Sequence, residues 1–153
     1  MKPGSFSQLY VQIVIVVKYR NALLKKDFRD TVFKYISGII TNNGHKAIIV
    51  NGVEDHVHIF IGLNPKESIS DLVRDIKKDS SKFINQNNLT PIRFHWQSGY
   101  GAFSYSRSAI VNVYKYIENQ EEHHRKKTFK DEYVELLKYY EVCFEDRFLF
   151  DFF

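Results

Sequence analysis

Lys46-Ala47-Ile48-Ile49-Val50-Asn51-Gly52-Val53-Glu54-Asp55-His56-Val57-His58-Ile59-Phe60-Ile61-Gly62-Leu63 reads as two apolar strands placed back to back. Lys46 to Val53 and His56 to Leu63 are rich in β-branched residues, which suit a pleated, half-buried surface. Asn51-Gly52 and Glu54-Asp55 put turn chemistry near the junction, so an antiparallel hairpin is expected. Pro65 ends the unit. Side chains alternate across a strand, so His56 and His58 project from one face while Val57, Ile59 and Ile61 fill the other.

Upstream, Leu9 to Val17 is a β-branched and aromatic run that reads as a buried strand, closed by Lys18-Tyr19-Arg20. Phe28, Val32, Ile36, Ile39 and Ile40 then recur at helical spacing, with Gly44 as the stop. Downstream, Ser68 and Asp71 make a capping-box-like start to a second helix. Ile69, Leu72, Val73, Ile76, Phe83 and Ile84 form its apolar stripe. Asn85 to Asn88 and Pro91 close it. Ile92 to Tyr105, aromatic and interrupted by Gly99 and Gly101, suits a fourth strand with a bend or bulge. A third helix is expected from about Ser108 to Arg125, and a fourth from the Thr128 cap, with Asp131 three residues on, to about Tyr140. The order βαββαβ followed by helices predicts an α+β fold, a ferredoxin-like antiparallel sheet with additional C-terminal helices. There is no repeat, linker or low-complexity segment, so residues 1–153 are expected to form one domain.

A chain of 153 residues, 44% hydrophobic and 16% aromatic, can bury one proper core. A formal charge of +4 and a pI near 9.0 incline it mildly toward polyanionic partners. The lone Cys143 excludes an internal disulfide and fits a reducing compartment. Met1 to Gln8 is short and polar, and the apolar run behind it soon meets Lys18 and Arg20, so no signal peptide is expected. No stretch has the length of a membrane-spanning helix. A soluble, cytoplasmic protein is the expectation.

The chemistry-bearing residues gather in two places. His56 and His58 share a strand face, and Tyr116 and Gln120 lie four apart on the third helix, hence one above the other. Two imidazoles and an amide oxygen can hold a divalent cation beside a tyrosine hydroxyl, which is the equipment for attack on a phosphodiester. Zinc would want more Cys or His, so this set better suits magnesium or manganese. Taken singly, the histidines read more commonly as a hydrogen-bonded structural pair than as a metal site, and Gln120 as a solvated helix residue rather than a ligand; only the combination points to a site. On a continuous helix Tyr116 shares its face with Ala109, Asn112, Asn119, Gln120 and His123, while His124 points elsewhere. Lys18 and Arg20 follow the first strand and are the better candidates for phosphate contacts. Arg74, Lys78 and Lys82 form a basic face on the second helix, but Asp71, Asp75 and Asp79 are interleaved with them. Phe94, Trp96, Tyr100, Phe103 and Tyr105 are either core or a platform for unpaired bases.

Glu54-Asp55-His56-Val57-His58-Ile59-Phe60-Ile61 resembles the His-hydrophobic-His (HUH) motif of the single-tyrosine transposases of small IS200-like insertion sequences. Tyr116-Ile117-Glu118-Asn119-Gln120 is similar to that family's nucleophile helix, and Phe94 to Ser104 resembles the segment preceding it in one branch. The likeness runs from the first strand to about Tyr133. It implies a metal-dependent transposase that cleaves and rejoins single-stranded DNA through a 5′-phosphotyrosine on Tyr116. His56, His58 and Gln120 would hold Mg2+ or Mn2+, with the nucleophile carried on the C-terminal helices. No ATP is implied, in keeping with the lack of a Gly-rich loop followed by Lys. The family also implies a homodimer, the tyrosine helix serving its own or the other subunit, and DNA with hairpin ends. Two alternatives stand: a domesticated HUH nickase, and a non-catalytic ferredoxin-like nucleic-acid-binding module. The transposase reading alone uses His56, His58, Tyr116 and Gln120 together. Cys143 to Phe153, with Phe148, Phe150, Phe152 and Phe153 between acids, matches nothing in the family and is expected to dock on the body or on a partner.

Overall fold

The computed structural model of the chain describes residues 4–152; Met1 and Phe153 lie outside the described residues. Among the described residues four strands form: β1 (Tyr10–Val16), β2 (Lys46–Gly52) and β3 (His56–Gly62) on the β-branched runs, and β4 (Gly101–Tyr105) on the aromatic one. They make one antiparallel sheet in the order β2-β3-β1-β4. Helix α1 (Arg29–Asn42) joins β1 to β2, and α2 (Ile69–Gln86) joins β3 to β4, which is the expected ferredoxin-like βαββαβ arrangement. Ser68 caps α2, its hydroxyl accepting from the Asp71 N–H at 3.0 Å. No helix among the described residues is long and apolar enough to cross a membrane.

The alternation of side chains divides the molecule into two layers. Val11, Ile13, Ile15 and Val17 pack with Val57, Ile59 and Ile61 beneath α1 and α2. The opposite face carries Val14, Val16, Phe60, His56 and His58, since Val14 pairs with His58 and Val16 with His56. This face is covered by three further helices: α3 (Ile110–Glu118), α4 (Gln120–Lys126) and α5 (Phe129–Tyr139). Apolar cover on both faces explains why β1 reads as a continuous hydrophobic run. Gly52 sits where the hairpin strands come closest: a Cβ there would lie 2.2 Å from the His56 carbonyl oxygen. Only glycine permits that approach.

Two local expectations need correction. The helix expected from Ser108 to Arg125 is broken at Asn119 (φ −95°, ψ 25°) into α3 and α4. The cause is Asn51 of β2, whose amide donates to the Ile117 and Glu118 carbonyls at 2.9 and 3.1 Å and so ends α3. The fourth strand spans only Gly101–Tyr105. The segment before it is an irregular loop bent at Gly99, pinned by an isolated bridge between Trp96 and Val17. Of the five aromatics that read as either core or platform, Phe94, Trp96 and Phe103 are buried in the core.

The C-terminal segment docks on the body of its own chain. Phe144, Leu149, Phe150 and Phe152 pack on the cluster formed by Val14, Val16, Phe103, Phe129, Tyr133 and Leu137. Gln97 clamps it with a reciprocal pair: its amide donates to the Asp151 carbonyl and its oxygen accepts from the Asp151 N–H, both at 2.8 Å. The tail therefore presses α5 onto the sheet.

Candidate active site

His56 and His58 stand on β3 and are fully buried under α4 and α5. Each ring is held by an oxygen on its Nδ1 side: Asp55 Oδ1 for His56 and Gln12 Oε1 for His58, both at 2.7 Å. Gln12 is itself oriented, because its amide donates to the Tyr105 hydroxyl at 2.7 Å. An Nδ1–H given to such an acceptor leaves the Nε2 lone pair free, the arrangement found behind metal-binding imidazoles. His56 also stacks flat on Phe129, with centroids 3.7 Å apart and planes 8° from parallel.

The two Nε2 atoms turn toward Glu132 of α5. Its Oε1 lies 3.3 Å from His56 Nε2 and 3.1 Å from His58 Nε2. The ligating atoms of His56, His58 and Glu132 all fall within 4.8 Å of one another, a donor set of two nitrogens and a carboxylate that suits a divalent metal. Gln120 is also fully buried here, its Oε1 3.2 Å from His56 Nε2 and its amide 3.3 Å from Glu132 Oε2. Tyr116 donates its hydroxyl to Glu132 Oε2, lies edge-on to His58 at 6.0 Å, and has His123 against its ring at 4.6 Å. Thus His56, His58, Tyr116 and Gln120 do meet, and they meet around a carboxylate.

His124 corrects a further expectation. It does not point elsewhere: its Nε2 lies 3.3 Å from Glu132 Oε1 and its ring 4.7 Å from that of His56. The break at Asn119 resets the helical phase, so angles counted along one continuous helix fail beyond it. Glu132 itself was missed. The signal for it was present, because it falls on the apolar stripe of α5 beside Phe129, Tyr133 and Leu137, where an unpaired carboxylate is costly.

The charges interlock. Burial alone would raise the Glu132 carboxyl, but hydrogen bonds from His124, His56 and His58 outweigh it and hold it far below the usual range. Burial also works to depress His56, yet Asp55 and Glu132 raise it overall; for His58 burial prevails and favours the neutral ring. Burial, followed by the negative charge of Glu132, pushes the Tyr116 phenol well above its ordinary value.

Two clefts reach the cluster. One of about 640 Å³ opens on Tyr116, His123, Lys126, Glu132 and Tyr139. The other, of about 500 Å³, is lined by Arg20, Arg29, Asp55, His124 and Arg125. Lys18 and Arg20 emerge at the same end of the sheet as His56, because Val16 pairs with His56. Arg74, Lys78 and Lys82 are not brought to the cluster: they are exposed on α2, in the layer across the sheet. Arg74 is engaged by Asp71 and Asp75 at 3.3 and 3.7 Å.

Comparison with known proteins gives a family and a fold. The family model described as "Transposase IS200 like" matches residues 5–120. The ISDra2 transposase TnpA of Deinococcus radiodurans is 27% identical over 122 residues, covering 76% of this chain and 87% of that protein. A crystal structure of a candidate transposase from Deinococcus radiodurans superposes with a TM-score of 0.61 at 23% identity, over 78% of this chain and 96% of that one. A REP-associated tyrosine transposase bound to a REP hairpin gives a TM-score of 0.58 at 15% identity, over 81% and 74% of the two chains. These two structures share the fold.

Proposed function

The chain belongs to the IS200-like transposase family, and from that premise we propose that it is a tyrosine-nucleophile strand transferase acting on single-stranded DNA with hairpin ends. The observation that carries this reading is the convergence of Tyr116, on α3, with His56 and His58, on β3, at one buried carboxylate. Tyr116 attacks a backbone phosphorus in line; its oxygen forms the new bond as the bond to the 3′ oxygen breaks. The products are a 5′-phosphotyrosine and a free 3′-hydroxyl. A 3′-hydroxyl from another end then attacks that phosphotyrosine and releases Tyr116, so one phosphodiester replaces another without nucleotide hydrolysis.

His56 and His58 present Nε2 atoms, and Gln120 and Glu132 present oxygens, to the point where a Mg2+ or Mn2+ ion would be held. Such an ion would supply Lewis-acid charge withdrawal from the scissile phosphate. Asp55 and Gln12 hold the imidazoles in the tautomer that faces this point. Lys18 and Arg20 grip phosphates beside the site, and Arg74, Lys78 and Lys82 contact DNA that runs past the other layer. The REP-associated relative, whose structure holds a hairpin, supports the choice of substrate. A homodimer, in which Tyr116 serves its own or the partner's histidines, belongs to the same proposal.

The test is incubation of the protein with hairpin-bearing oligonucleotides and Mn2+ or Mg2+, followed by denaturing gels. A protein–DNA adduct is expected from the native protein and none from Tyr116→Phe. Wild-type cleavage by Tyr116→Phe would overturn the proposal.

A further inference from the structure

We propose that Asn51 is a positioning residue for the nucleophile: its amide fixes the end of the tyrosine helix on the histidine strand, and so sets where the Tyr116 hydroxyl and Gln120 stand. This deepens the transposase reading and rests on it. Asn51 acts through the backbone, one and two residues beyond Tyr116.

Helix α3 has little else to hold it in place. It is nine residues long, below the length at which an isolated helix is stable, and no side chain caps its N-terminus at Ala109. Val113 and Ile117 pack on Phe60, with Ile48 and Ile49 beside them. Such apolar contact is non-directional, so it sets the depth of the helix over the sheet and leaves sliding and rotation open. Directional bonds must supply the rest. Among the described residues, α3 is hydrogen-bonded to the sheet by Asn51 alone, whose amide donates to the Ile117 carbonyl at 2.9 Å and the Glu118 carbonyl at 3.1 Å.

The tie is short. Asn51 pairs across the ladder with His58, so their side chains leave the same face of the sheet side by side. One residue therefore joins the strand of the histidines to the helix of the tyrosine. Asn51 also sets the break. In an unbroken helix the Ile117 and Glu118 carbonyls would receive the N–H groups of Glu121 and Glu122. With Asn51 as donor the chain is free to turn at Asn119. That turn brings Gln120 into the buried cluster, its Oε1 3.2 Å from His56 Nε2, and returns His123 to the Tyr116 ring at 4.6 Å. The Tyr116 ring itself stands edge-on to His58, with 6.0 Å between centroids. Without the amide, α3 can slide along the sheet, and a shift of about 1 Å in a reacting group costs about 100-fold in rate.

The test uses the full chain, unlabelled for kinetics and with 3-fluorotyrosine at position 116 for fluorine NMR. Asn51→Asp is isosteric but sets a carboxylate against both carbonyls; Asn51→Ala deletes the donors. In either variant the fluorine resonance should move toward its position in urea. Under single turnover with a hairpin-bearing oligonucleotide and Mn2+, adduct formation should slow by about 100-fold. Anisotropy in EDTA should show native affinity for the same oligonucleotide. Ser68→Ala, which removes a cap on α2 in the other layer, should leave the resonance where it is. A native adduct rate in both Asn51 variants, a resonance that stays put in them, the same movement in Ser68→Ala, or a loss confined to oligonucleotide affinity would each overturn the proposal. If Asn51→Asp fails to fold by near-ultraviolet circular dichroism, Asn51→Ala decides. A native chain that forms no adduct with any such hairpin would sink the transposase reading instead, and the fluorine response alone would then decide whether Asn51 positions Tyr116.

Discussion

One added methyl group should reach the candidate site from the first residue of β4, in register with Val14 and His58. Gly101 pairs with Val14 and lies beneath Tyr133 of α5. A Cβ at this position would stand 2.6 Å from the Tyr133 hydroxyl oxygen and 2.9 Å from Cε1. Unstrained heavy-atom contacts need about 3.5–4.0 Å, so the ring must withdraw by about 1 Å. It cannot turn away alone: Tyr133 is 5% exposed and packs on Phe129 at 5.7 Å and Phe150 at 5.2 Å. Helix α5 must therefore move, and Glu132 is the adjacent residue. Overpacking of this kind costs about 1–3 kcal/mol, which at this chain length lowers Tm by roughly 2–12 °C. A shift of about 1 Å also takes Glu132 Oε1 out of hydrogen-bond range of imidazoles now at 3.1–3.3 Å. Gly101→Ala, Tyr133→Leu and the double variant would be compared by urea unfolding and Mn2+ titration. The double variant should cost less than the sum of the singles, because removing the ring relieves the clash. Additive costs, or a Gly101→Ala protein with wild-type stability and Mn2+ affinity, would refute the reasoning.

Three further outcomes are expected. Burial pushes the Tyr133 phenol up to about 12 from 10.0, so ultraviolet titration of the folded protein should show one tyrosine ionising near that value. The stability associated with this shift is fully present below pH 10 and is lost as pH rises through about 12. Mn2+ at 100 times its Kd should stabilise the chain by about 2.7 kcal/mol; EDTA should abolish the gain, and a gain persisting in His56→Ala would count against the site. Thr128 caps α5 through its hydroxyl, which accepts from the Asp131 N–H at 3.2 Å. Thr128→Ala should cost about 1 kcal/mol in urea unfolding, and a cost near zero would mean the cap is idle.

The amino-acid sequence by itself determined what depends on short-range periodicity. Alternation put His56 and His58 on one face, the 3.6-residue period set α1 and α2, and Ser68 and Thr128 marked helix starts that the structure keeps. The order of these elements was enough for a ferredoxin-like sheet, because short, right-handed connections leave few topologies open. Only tertiary structure decided what closes the site. His58 meets Glu132 across 74 residues of chain, and Gln12 meets His58 across 46. Neither contact has a local signature. Asn51 breaks the tyrosine helix from a strand 66 residues earlier, and with the lost phase went any valid reading of His124. The aromatics before β4 could be placed in the core rather than on a surface only once α2 and β1 were packed around them. The separation of Arg74, Lys78 and Lys82 from the histidines likewise follows from which sheet face α2 covers, a choice made by long-range burial.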